Sequence, residues 1–368
     1  MKFLVVTNAP TLNKEGKLCA YAPYVREMDI WTKYATVFKI VSPNHYPQEL
    51  LTLPFENQPQ LESIPSLQFN SVKHIVLSLY KIPKIIVKLF KAMKWADHIH
   101  LRCPGNIGML GCLVQIFFPD KTKTAKYAGN WDPNAVQPKS YMFQKWVLSN
   151  PFLTRNMSVL VYGNWENQTK NIKPFFTASY LDNEKVTFNA KDYSGELSFV
   201  FVGSLVEGKR PLFAVQLIEA LQKKGIHCKL DVFGDGVLKE ELQNYIVKNS
   251  ITNVQLYGNQ TKETIKDYLL KSHFSILASK SEGWPKALAE AMFFGVIPIA
   301  TKISCVPYML DYGKRGILIE AKLISDVNTI EMALKNKKDL IDTAKNAQLW
   351  SQQFTLDIFE KEIKTLLH

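Results

Sequence analysis

Two glutamates stand eight positions apart in the segment SEGWPKALAEAMFFG, residues 281–295. Glu282 precedes a Gly-Trp-Pro turn, and Glu290 lies within a run of Ala, Leu, Met and Phe that predicts a helix. Pro285 suits the first position of that helix, and Gly295 suits the position just after its end. A helix that begins in this way leaves backbone N–H groups free at the positive end of its dipole. The segment therefore predicts a phosphate site.

The charges around this turn favour a ligand that carries both a diphosphate and sugar hydroxyls. Lys286 places a cation in the first helical turn, where it opposes the helix dipole unless an anion binds. Glu290 lies about 7.5 Å along the helix axis from Pro285, and Glu282 stays in the turn. Two carboxylates flanking a phosphate site can each accept hydrogen bonds from a pair of hydroxyls, and a nucleotide sugar offers such pairs. The alternative is structural, with Glu290 facing solvent and Glu282 a loop charge.

These residues resemble the donor-binding segment of glycosyltransferase family 4, whose members are retaining enzymes of the GT-B fold. Glu282 and Glu290 have the spacing of the family's E-x7-E motif. FVGSLVEGKRPLFAVQLIEAL (201–221) is similar to the family's Gly-Arg-Leu…Lys segment, and FGDGVLKEEL (233–242) is similar to its Gly-Asp-Gly turn. The C-terminal WSQQFTLDIFEKEIKTLL resembles the helix that crosses back to the first domain in that family.

The resemblance implies a role for each residue of a donor site. Glu282 holds hydroxyls of the transferred sugar, Glu290 holds the ribose diol, and Lys209 contacts the diphosphate. Backbone amides of the turn cradle the sugar and the phosphates, and two residues at the end of another strand contact the base. The implied site consists of Ser204, Lys209, Arg210, Gly234, Tyr257, Gly258, Glu282, Gly283, Trp284, Pro285, Lys286, Ala287 and Glu290.

Two positions depart from the family pattern. Ser204 stands where the family usually has a phosphate-binding arginine, so either Arg210 supplies that charge or Lys209 and the helix terminus hold the diphosphate. The segment SCVPYM (304–309) replaces a Gly-Gly pair and an acid, which brings Tyr308 to the sugar end of the pocket. The sequence contains no Asp-x-Asp triplet. Neither a bridging metal nor a cofactor is therefore expected, and the donor is a UDP- or GDP-linked sugar that serves as substrate.

Short β-branched runs alternate with helical patterns along the chain, which predicts parallel sheets covered by helices. The expected fold is α/β of the GT-B type, with two Rossmann-like doubly wound domains facing across a cleft and a C-terminal helix crossing back. The expected domains are 1–180 for the acceptor, 181–345 for the donor and 346–368 for that helix. The predicted strands are 2–8, 36–42, 98–102, 123–129, 157–163, 197–204, 228–234, 253–258, 274–279 and 296–301.

The first half offers weaker candidates for an acceptor site. Trp131 follows a predicted strand, where ligands bind in such sheets, and either stacks on a sugar or belongs to the core. Asp132 is a catalytic candidate, together with Lys209 and Glu282, or it opens a turn. Arg102 contacts a phosphate or forms a structural ion pair. The acceptor-side candidates are Gly16, Lys17, Arg102, Asn130 and Trp131.

Charge is distributed unevenly between the two halves. The net charge is +12, and residues 1–180 contain 21 Lys and Arg against 10 Asp and Glu, a net of +11. Such a bias predicts an anionic partner for the first half, such as a membrane surface, a phosphorylated acceptor or nucleic acid. Five scattered cysteines and the lack of an apolar run of about 18 residues favour a cytoplasmic protein, or one peripheral on the inner face of the membrane.

The segment KIPKIIVKLFKAMKW, residues 81–95, bears on which anionic partner the first half binds. Lysines at 81, 84, 88, 91 and 94 fall on one helical stripe, and bulky apolar residues occupy the other positions. Such a helix can lie in the interface of an anionic membrane. The alternative is a helix that docks its apolar face on the sheet and leaves its lysines in water. The charge bias favours the membrane.

The leading interpretation is a metal-independent retaining glycosyltransferase. It moves a hexose-type sugar to a glycan or a lipid-linked acceptor in bacterial cell-surface polysaccharide or glycoconjugate synthesis. One alternative is a nucleotide-sugar epimerase or hydrolase of the same fold. The other is a nucleic-acid-binding protein with a relic sugar site, but the sequence lacks basic–aromatic alternation and a recognition-helix pattern. No nucleic-acid partner is therefore expected.

Overall fold

The computed structural model describes residues 1–46 and 51–367 and divides into two compact units. Unit 1 comprises Met1–Phe175 and the chain from Glu360 onward, and unit 2 comprises Phe176–Phe359. The sequence prediction divided the chain at 180 and 345 instead. Each unit is an α/β fold built around its own hydrophobic core.

Within the described ranges, unit 1 contains a parallel sheet of seven strands and a small antiparallel sheet. Its strands are β1 (Lys2–Val6), β2 (Leu12–Lys14), β3 (Lys17–Tyr21), β4 (Val37–Ser42), β5 (Thr52–Pro54), β6 (Gln60–Ser63), β7 (His98–Cys103), β8 (Thr122–Tyr127), β9 (Met157–Tyr162) and β10 (Ile172–Phe175). The large sheet has the order β10-β9-β8-β7-β1-β4-β6, with parallel neighbours throughout. The last four residues of β1 are fully buried, because helices cover both faces of a parallel sheet.

Helices lie on both faces of the large sheet. They are α1 (Ala22–Thr32), α2 (Val72–Trp95), α3 (Asn106–Val114) and α4 (Lys139–Leu148). Neighbouring residues of a strand point to opposite faces, so Leu4 joins the hydrophobic cluster under α2, α3 and α4, whereas Phe3 meets Trp31 of α1. The helices α2, α3 and α4 therefore share one face of the sheet, and α1 lies on the other.

The segment NKEGKLC is a β-hairpin in the structure. Strands β2 and β3 pair antiparallel around the turn Glu15-Gly16, and β5 extends the pair. The φ angles of Glu15 and Gly16 are 50° and 81°, as a two-residue hairpin turn requires for strands of right-handed twist. No strand was predicted between residues 8 and 36, so β2 and β3 were missed.

Unit 2 contains a second parallel sheet, with the order β13-β12-β11-β14-β15-β16. These strands are β11 (Leu197–Val202), β12 (Cys228–Phe233), β13 (Val254–Gly258), β14 (Phe274–Leu277), β15 (Ile297–Thr301) and β16 (Ile317–Ile319). The helices are α5 (Pro211–Lys223), α6 (Lys239–Lys248), α7 (Lys262–Lys271), α8 (Lys286–Phe293), α9 (Val306–Met309), α10 (Leu323–Leu334), α11 (Lys337–Ser351) and α12 (Leu356–Leu367).

The last helix, α12, begins in unit 2, and its residues from Glu360 onward belong to unit 1. The Glu360 carboxylate pairs there with Lys33 of α1 at 2.6 Å and accepts a hydrogen bond from the Tyr34 hydroxyl at 3.2 Å. The sequence predicted one C-terminal helix over 346–368, whereas the structure has the end of α11 there, a break, and then α12, whose residues from Glu360 onward belong to unit 1.

The strand order of unit 2 reverses between β11 and β14. The chain runs from β11 through β12 to β13 on one side, and then crosses to β14, β15 and β16 on the other. Loops that leave β11 and β14 at their carboxyl ends therefore turn to opposite faces of the sheet. The crevice between such loops is the usual ligand site of an open α/β sheet.

Candidate functional site

Lys209 and Glu282 meet at this reversal of strand order. Lys209 follows β11, Glu282 follows β14, and the Lys209 Nζ lies 2.5 Å from Glu282 Oε1. The Glu282 side chain is only 8% exposed, whereas that of Lys209 is 31% exposed. The ammonium is therefore the more accessible partner, and it neutralises a carboxylate that would otherwise lie buried without a counter-charge.

The turn after Glu282 leads directly into the first turn of α8. The helix begins at Lys286, and Pro285 is its N-cap without a side-chain cap. The prediction that Pro285 is the first helical residue was wrong by one position, because its ψ of 88° is not helical. The Pro285 carbonyl accepts from Leu288 and Ala289. The Lys286 and Ala287 amides at the start of α8 lie at the positive end of its dipole, as an anion site requires.

Two residues that follow β15 form side-chain hydrogen bonds with the backbone of this turn. The Ser304 hydroxyl donates to the Glu282 carbonyl, and the Cys305 thiol donates to the Gly283 carbonyl at 3.0 Å. Burial raises the pKa of Cys305 to about 12, so the thiol stays protonated as this donor. In the sequence, SCVPYM is distinguished only as a departure from the family pattern that brings Tyr308 to the sugar end of the pocket. The side chains of Ser304 and Cys305 fix the turn instead.

Glu290 is the second acid, and it faces a hydroxyl. The Ser179 Oγ donates to Glu290 Oε1 at 2.5 Å. Ser179 and Glu290 also line one small cavity together with Lys286. The neighbouring Leu288 is buried, so α8 presents its apolar side to the core and Glu290 to this cavity. Gly295 follows the helix end with a φ of 67°, as the sequence predicted. Ser179 was missed, because it lies in an irregular segment more than a hundred residues away.

Glycines bring three strand ends into close contact beside this site. The Gly234 amide donates to the Gly258 carbonyl at 2.8 Å. A Cβ on Gly234 would lie 2.0 Å from the Gly203 carbonyl oxygen, and its φ of 130° disfavours other residues. Only glycine allows the loop after β12 to approach the loop after β11 so closely. Gly234 therefore has a structural reason for its place in the Gly-Asp-Gly turn.

Three other candidates of the donor set have partners of their own. The Arg210 guanidinium donates to the Ala278 carbonyl at 3.2 Å, and Arg210 precedes α5 in a left-handed conformation. Tyr257 stacks on Phe233 with ring centroids 5.0 Å apart. The Trp284 ring is buried against Trp350. Ser204 is exposed, and Gly283 and Ala287 belong to the turn and to the first turn of α8.

Arg102 forms an ion pair within unit 1. Its guanidinium contacts Glu27 of α1, and Lys126 of β8 lies 2.9 Å from the same carboxylate oxygen. Of the two alternatives for Arg102, the structure shows the ion pair. The reason is strand alternation, since Arg102 points to the face that α1 covers.

Trp131 and Asp132 also serve the fold of unit 1. Trp131 is 3% exposed, and its indole N–H donates to Gln168 at 2.9 Å. A ring buried in this way offers no face to a sugar, so the core alternative is the one observed. Asp132 Oδ1 accepts from the Asn134 amide at 2.9 Å, and Asn130 Oδ1 accepts from the Asp132 amide at 2.8 Å. These bonds are those of a turn, and a catalytic role of Asp132 stays a prediction.

Unit 1 contains a cavity of about 620 Å³ at the carboxyl end of β7. It lies where the strand order of this sheet reverses, between β7 and β1, which is the expected position of a ligand site. The walls come from α3, α4, Ile82 of α2 and the segment before α2, and include Leu67, Phe69, Asn106, Met109, Tyr141 and Gln144. The hairpin residues Gly16 and Lys17 are not part of its lining.

The predicted basic helix 81–95 lies within α2, and its apolar residues divide between two faces. Ile85, Leu89 and Met93 are buried in the core cluster, as the docking alternative predicted. Ile86 and Phe90 are exposed instead. None of the helices in the described ranges is long and apolar enough to cross a membrane. Among the same residues, no three His, Cys, Asp or Glu side chains cluster in a way that could hold a metal ion.

Comparison with known proteins supports an enzyme class for this site. Residues 182–350 match the family model for glycosyl transferases group 1, and they include Lys209, Glu282 and Glu290. An uncharacterized glycosyltransferase of Methanocaldococcus jannaschii is 28% identical over 174 residues, which cover 47% of each chain. The match thus spans about half the length of that relative. The comparisons support a GT-B glycosyltransferase.

A longer match comes from Campylobacter jejuni. GalNAc-alpha-(1->4)-GalNAc-alpha-(1->3)-diNAcBac-PP-undecaprenol alpha-1,4-N-acetyl-D-galactosaminyltransferase is 25% identical over 302 residues, 79% of this chain and 80% of the relative. Among solved structures, the lipopolysaccharide outer core galactosyltransferase WaaB has a TM-score of 0.69 at 16% identity, over 100% of this chain and 99% of that chain. The Anabaena protein HepE in complex with UDP and glucose has a TM-score of 0.63 at 15% identity, with the same coverage. These two likenesses show the fold of two Rossmann-like domains.

Proposed function

We propose that the protein is a retaining, metal-independent glycosyltransferase of the family 4 type. It transfers a hexose-type sugar from a nucleotide diphosphate sugar bound on unit 2 to a glycan or lipid-linked acceptor bound on unit 1. The observation that carries this proposal is the Lys209–Glu282 pair, at the reversal of strand order and beside the uncapped start of α8. That arrangement provides a cation and free amides for a diphosphate, and a carboxylate for sugar hydroxyls.

Charge stabilisation of the leaving diphosphate is the main task of this site. When the bond between the sugar and the diphosphate breaks, negative charge grows on the leaving oxygen. Lys209 and the amides at the start of α8 are placed to stabilise that charge, and preorganised groups of this kind usually supply the largest electrostatic contribution. An anion that binds Lys209 also draws it away from Glu282, so the Glu282 carboxylate then becomes free to accept hydrogen bonds from the sugar.

Glu290 is proposed to bind the ribose diol of the nucleotide. The Ser179 hydroxyl already occupies one oxygen of this carboxylate, which fixes the side chain and leaves the second oxygen for the ligand. Tyr257 and Gly258 stay predictions for the base. UDP is the first donor to test, because HepE, which shares this fold, was solved with UDP and glucose.

Retention follows the family resemblance, in which no side chain attacks the sugar. The acceptor hydroxyl approaches from the face that the diphosphate leaves, and an oxygen of the departing phosphate takes its proton. We propose that the cavity at the carboxyl end of β7 holds the acceptor. The Campylobacter relative is named for an undecaprenol-linked glycan, and an Erwinia amylovora relative is named for amylovoran biosynthesis. A role in cell-surface polysaccharide or glycoconjugate synthesis fits both.

Donor binding and product formation test this proposal directly. Thermal shifts with UDP-, GDP- and ADP-glucose identify the donor, because a ligand that binds only the native state raises its stability. We expect Lys209→Ala and Glu290→Ala each to lower turnover by roughly a hundredfold or more while the protein stays folded. Lys223→Ala is the matched control, since Lys223 forms a 2.5 Å pair with Glu219 on the surface of the same unit.

Product analysis separates the proposal from its same-fold alternatives. A transferase forms a glycosylated product only when an acceptor is present, whereas an epimerase or a hydrolase converts the donor alone. Near wild-type turnover in Lys209→Ala or Glu290→Ala would contradict the donor-site assignment. An inverted anomeric centre in the product, read by NMR, would contradict retention.

A further inference from the structure

We propose that the outward face of α2 docks unit 1 on an anionic lipid bilayer. This goes beyond the proposed reaction, because it assigns a partner to a surface outside the donor site. The helix has two separate faces. One faces the core, and its buried members are Ser78, Ile85, Leu89, Ala92 and Met93. The spacing of these residues, mostly three, four or seven positions, is that of a single helical face.

The opposite face of α2 carries a second apolar stripe, which lies in solvent. Its large members are between 42% and 87% exposed, and they are Val72, Val76, Leu79, Tyr80, Val87 and Phe90. Successive members are again one, three, four or seven positions apart, so they share a face along nearly the whole helix. Core packing explains the first stripe, and the Phe90 ring of the second packs on that of Phe118 at 4.9 Å. The exposure of Val72, Val76, Leu79, Tyr80 and Val87 is left unexplained. A contiguous exposed apolar surface of this kind marks an interaction site.

Positive charge runs beside this outward stripe. Lys73, Lys84 and Lys91 are exposed and stand 11 and 7 positions apart, close to whole numbers of helical turns. They therefore form a row along one edge of the stripe. A helix with a bulky apolar face and an adjoining row of lysines has the chemistry of an interfacial membrane helix. The net charge of +11 over residues 1–180 adds attraction to anionic lipid.

Helix α4, in the same helical layer as α2, also exposes aromatic side chains. Met142, Phe143 and Trp146 are exposed, and the rings of Phe143 and Trp146 stack at 5.8 Å. Because α2 and α4 pack on one core cluster, both belong to the helical layer on one face of the sheet. Tryptophan and other aromatic residues are enriched where a protein meets the headgroup region of a bilayer.

A bilayer fits this surface better than the other occupants do. A second copy of the chain, docked face to face on α2, would bring two rows of lysines together, and like charges in an interface are unfavourable. An acidic protein segment would satisfy the lysines but leave the valine, leucine and tyrosine side chains without apolar partners. An anionic bilayer satisfies both, with headgroups beside the lysines and acyl chains under the stripe.

Co-sedimentation with vesicles tests the proposal on the full chain at low salt. The vesicles contain phosphatidylcholine and phosphatidylglycerol in equal parts, and phosphatidylcholine alone serves for comparison. We expect the double variant Val76→Glu/Tyr80→Glu to weaken binding about tenfold or more. We expect Lys73→Gln/Lys84→Gln/Lys91→Gln to weaken binding to the anionic vesicles about a hundredfold.

The matched control is Val247→Glu/Met332→Glu, which places the same charges at exposed apolar positions of unit 2 and should leave binding unchanged. Thermal melting checks that each variant folds. Failure of the wild-type chain to bind anionic vesicles, or equal binding by the α2 and control variants, would overturn the proposal. So would a dimer of the wild-type chain that Val76→Glu/Tyr80→Glu dissolves, because α2 would then be the interface between two copies. No nucleotide sugar is needed, so these outcomes are separate from those of the donor experiments.

Discussion

The two units have the same kind of sheet but use their surfaces and polar groups differently. Among the described residues, twenty of the twenty-eight exposed large hydrophobic side chains lie in unit 1 and eight in unit 2. The positive charge is also concentrated in the first half of the chain. Unit 1 therefore exposes more apolar surface beside its positive charge, whereas unit 2 has the polar pair Lys209–Glu282, one partly exposed and one buried, at a strand end. A shared fold therefore says little about what each unit binds.

The polar residues at the strand ends differ as well. In unit 2, Lys209 and Glu282 form a pair that a diphosphate can compete for, because the lysine is partly exposed. In unit 1, Arg102, Lys126 and Glu27 form a buried network that no ligand enters without disrupting the fold. Charged residues at a strand end are thus available to a ligand only where one of them stays accessible.

Of the variants that test this difference between the two units, we expect Glu27→Gln to have the largest effect. The substitution leaves two buried cations facing a neutral amide, so we expect unit 1 to lose about 3 to 5 kcal/mol of unfolding free energy. Urea denaturation measures the loss, and thermal shift with a nucleotide sugar measures donor binding. Donor binding to unit 2 should not change below the unfolding transition. A loss of stability under about 1 kcal/mol, or a selective loss of donor binding, would show that the network is not structural.

We expect the buried histidines to make unit 1 sensitive to acid. Burial lowers the pKa of His98 from 6.5 to about 4, and its Nε2 lies 2.9 Å from the Thr124 hydroxyl. The unfolded chain therefore binds more protons than the folded chain between pH 6.5 and 4, and the unfolding free energy falls as the pH falls through that window. We expect His98 to account for about 3 kcal/mol of that loss.

Denaturant unfolding at a series of pH values measures this loss, and His98→Gln should reduce its slope. His45→Gln, at an exposed position, is the control and should leave the slope unchanged. If His98→Gln has the same pH profile as the wild-type protein, the acid sensitivity does not come from this core.

The smallest expected effect lies in unit 2 and concerns Ser179. Removal of its hydroxyl frees the Glu290 side chain, so Ser179→Ala should raise the KM for the donor about tenfold, with kcat nearly unchanged. Ser179→Thr should restore the wild-type value, because it keeps the hydroxyl. Ser351→Ala serves as the control, since Ser351 bonds a backbone carbonyl of α8 at 2.6 Å and not the carboxylate. An equal loss in both alanine variants would indicate a general effect on α8.

Much of the fold follows from local sequence pattern. Each of the ten predicted strands is present, with ends shifted by no more than two residues. Continuous apolar runs such as those of β1 and β11 can be recognised because both faces of a parallel strand are buried. The missed strands β2, β3, β5, β6, β10 and β16 are three to five residues long. Most of them lie at sheet edges or in the hairpin, where partial exposure removes the apolar signal.

The local structure around the donor-site candidates was predicted more completely than that around the acceptor-side candidates. Glu282, Glu290 and Gly295 lie in one short segment whose turn and helix residues follow local rules. Ser179 could not be found in this way, because nothing in its own neighbourhood distinguishes it from other serines. The segment of Ser304 was singled out, but its hydrogen bond to the Glu282 carbonyl depends on the tertiary structure.

The sequence by itself determined the alternation of strands and helices, the turn before α8 and the two acids that flank it. It also determined the excess of positive charge in the first half, because composition needs no fold. Only the tertiary structure decided that Lys209 pairs with Glu282, that Arg102 is held by Glu27, and which residues of α2 face outward. These outcomes depend on strand order and on the side to which each strand turns a residue. Both are set by packing between segments far apart in the chain, so no local pattern records them.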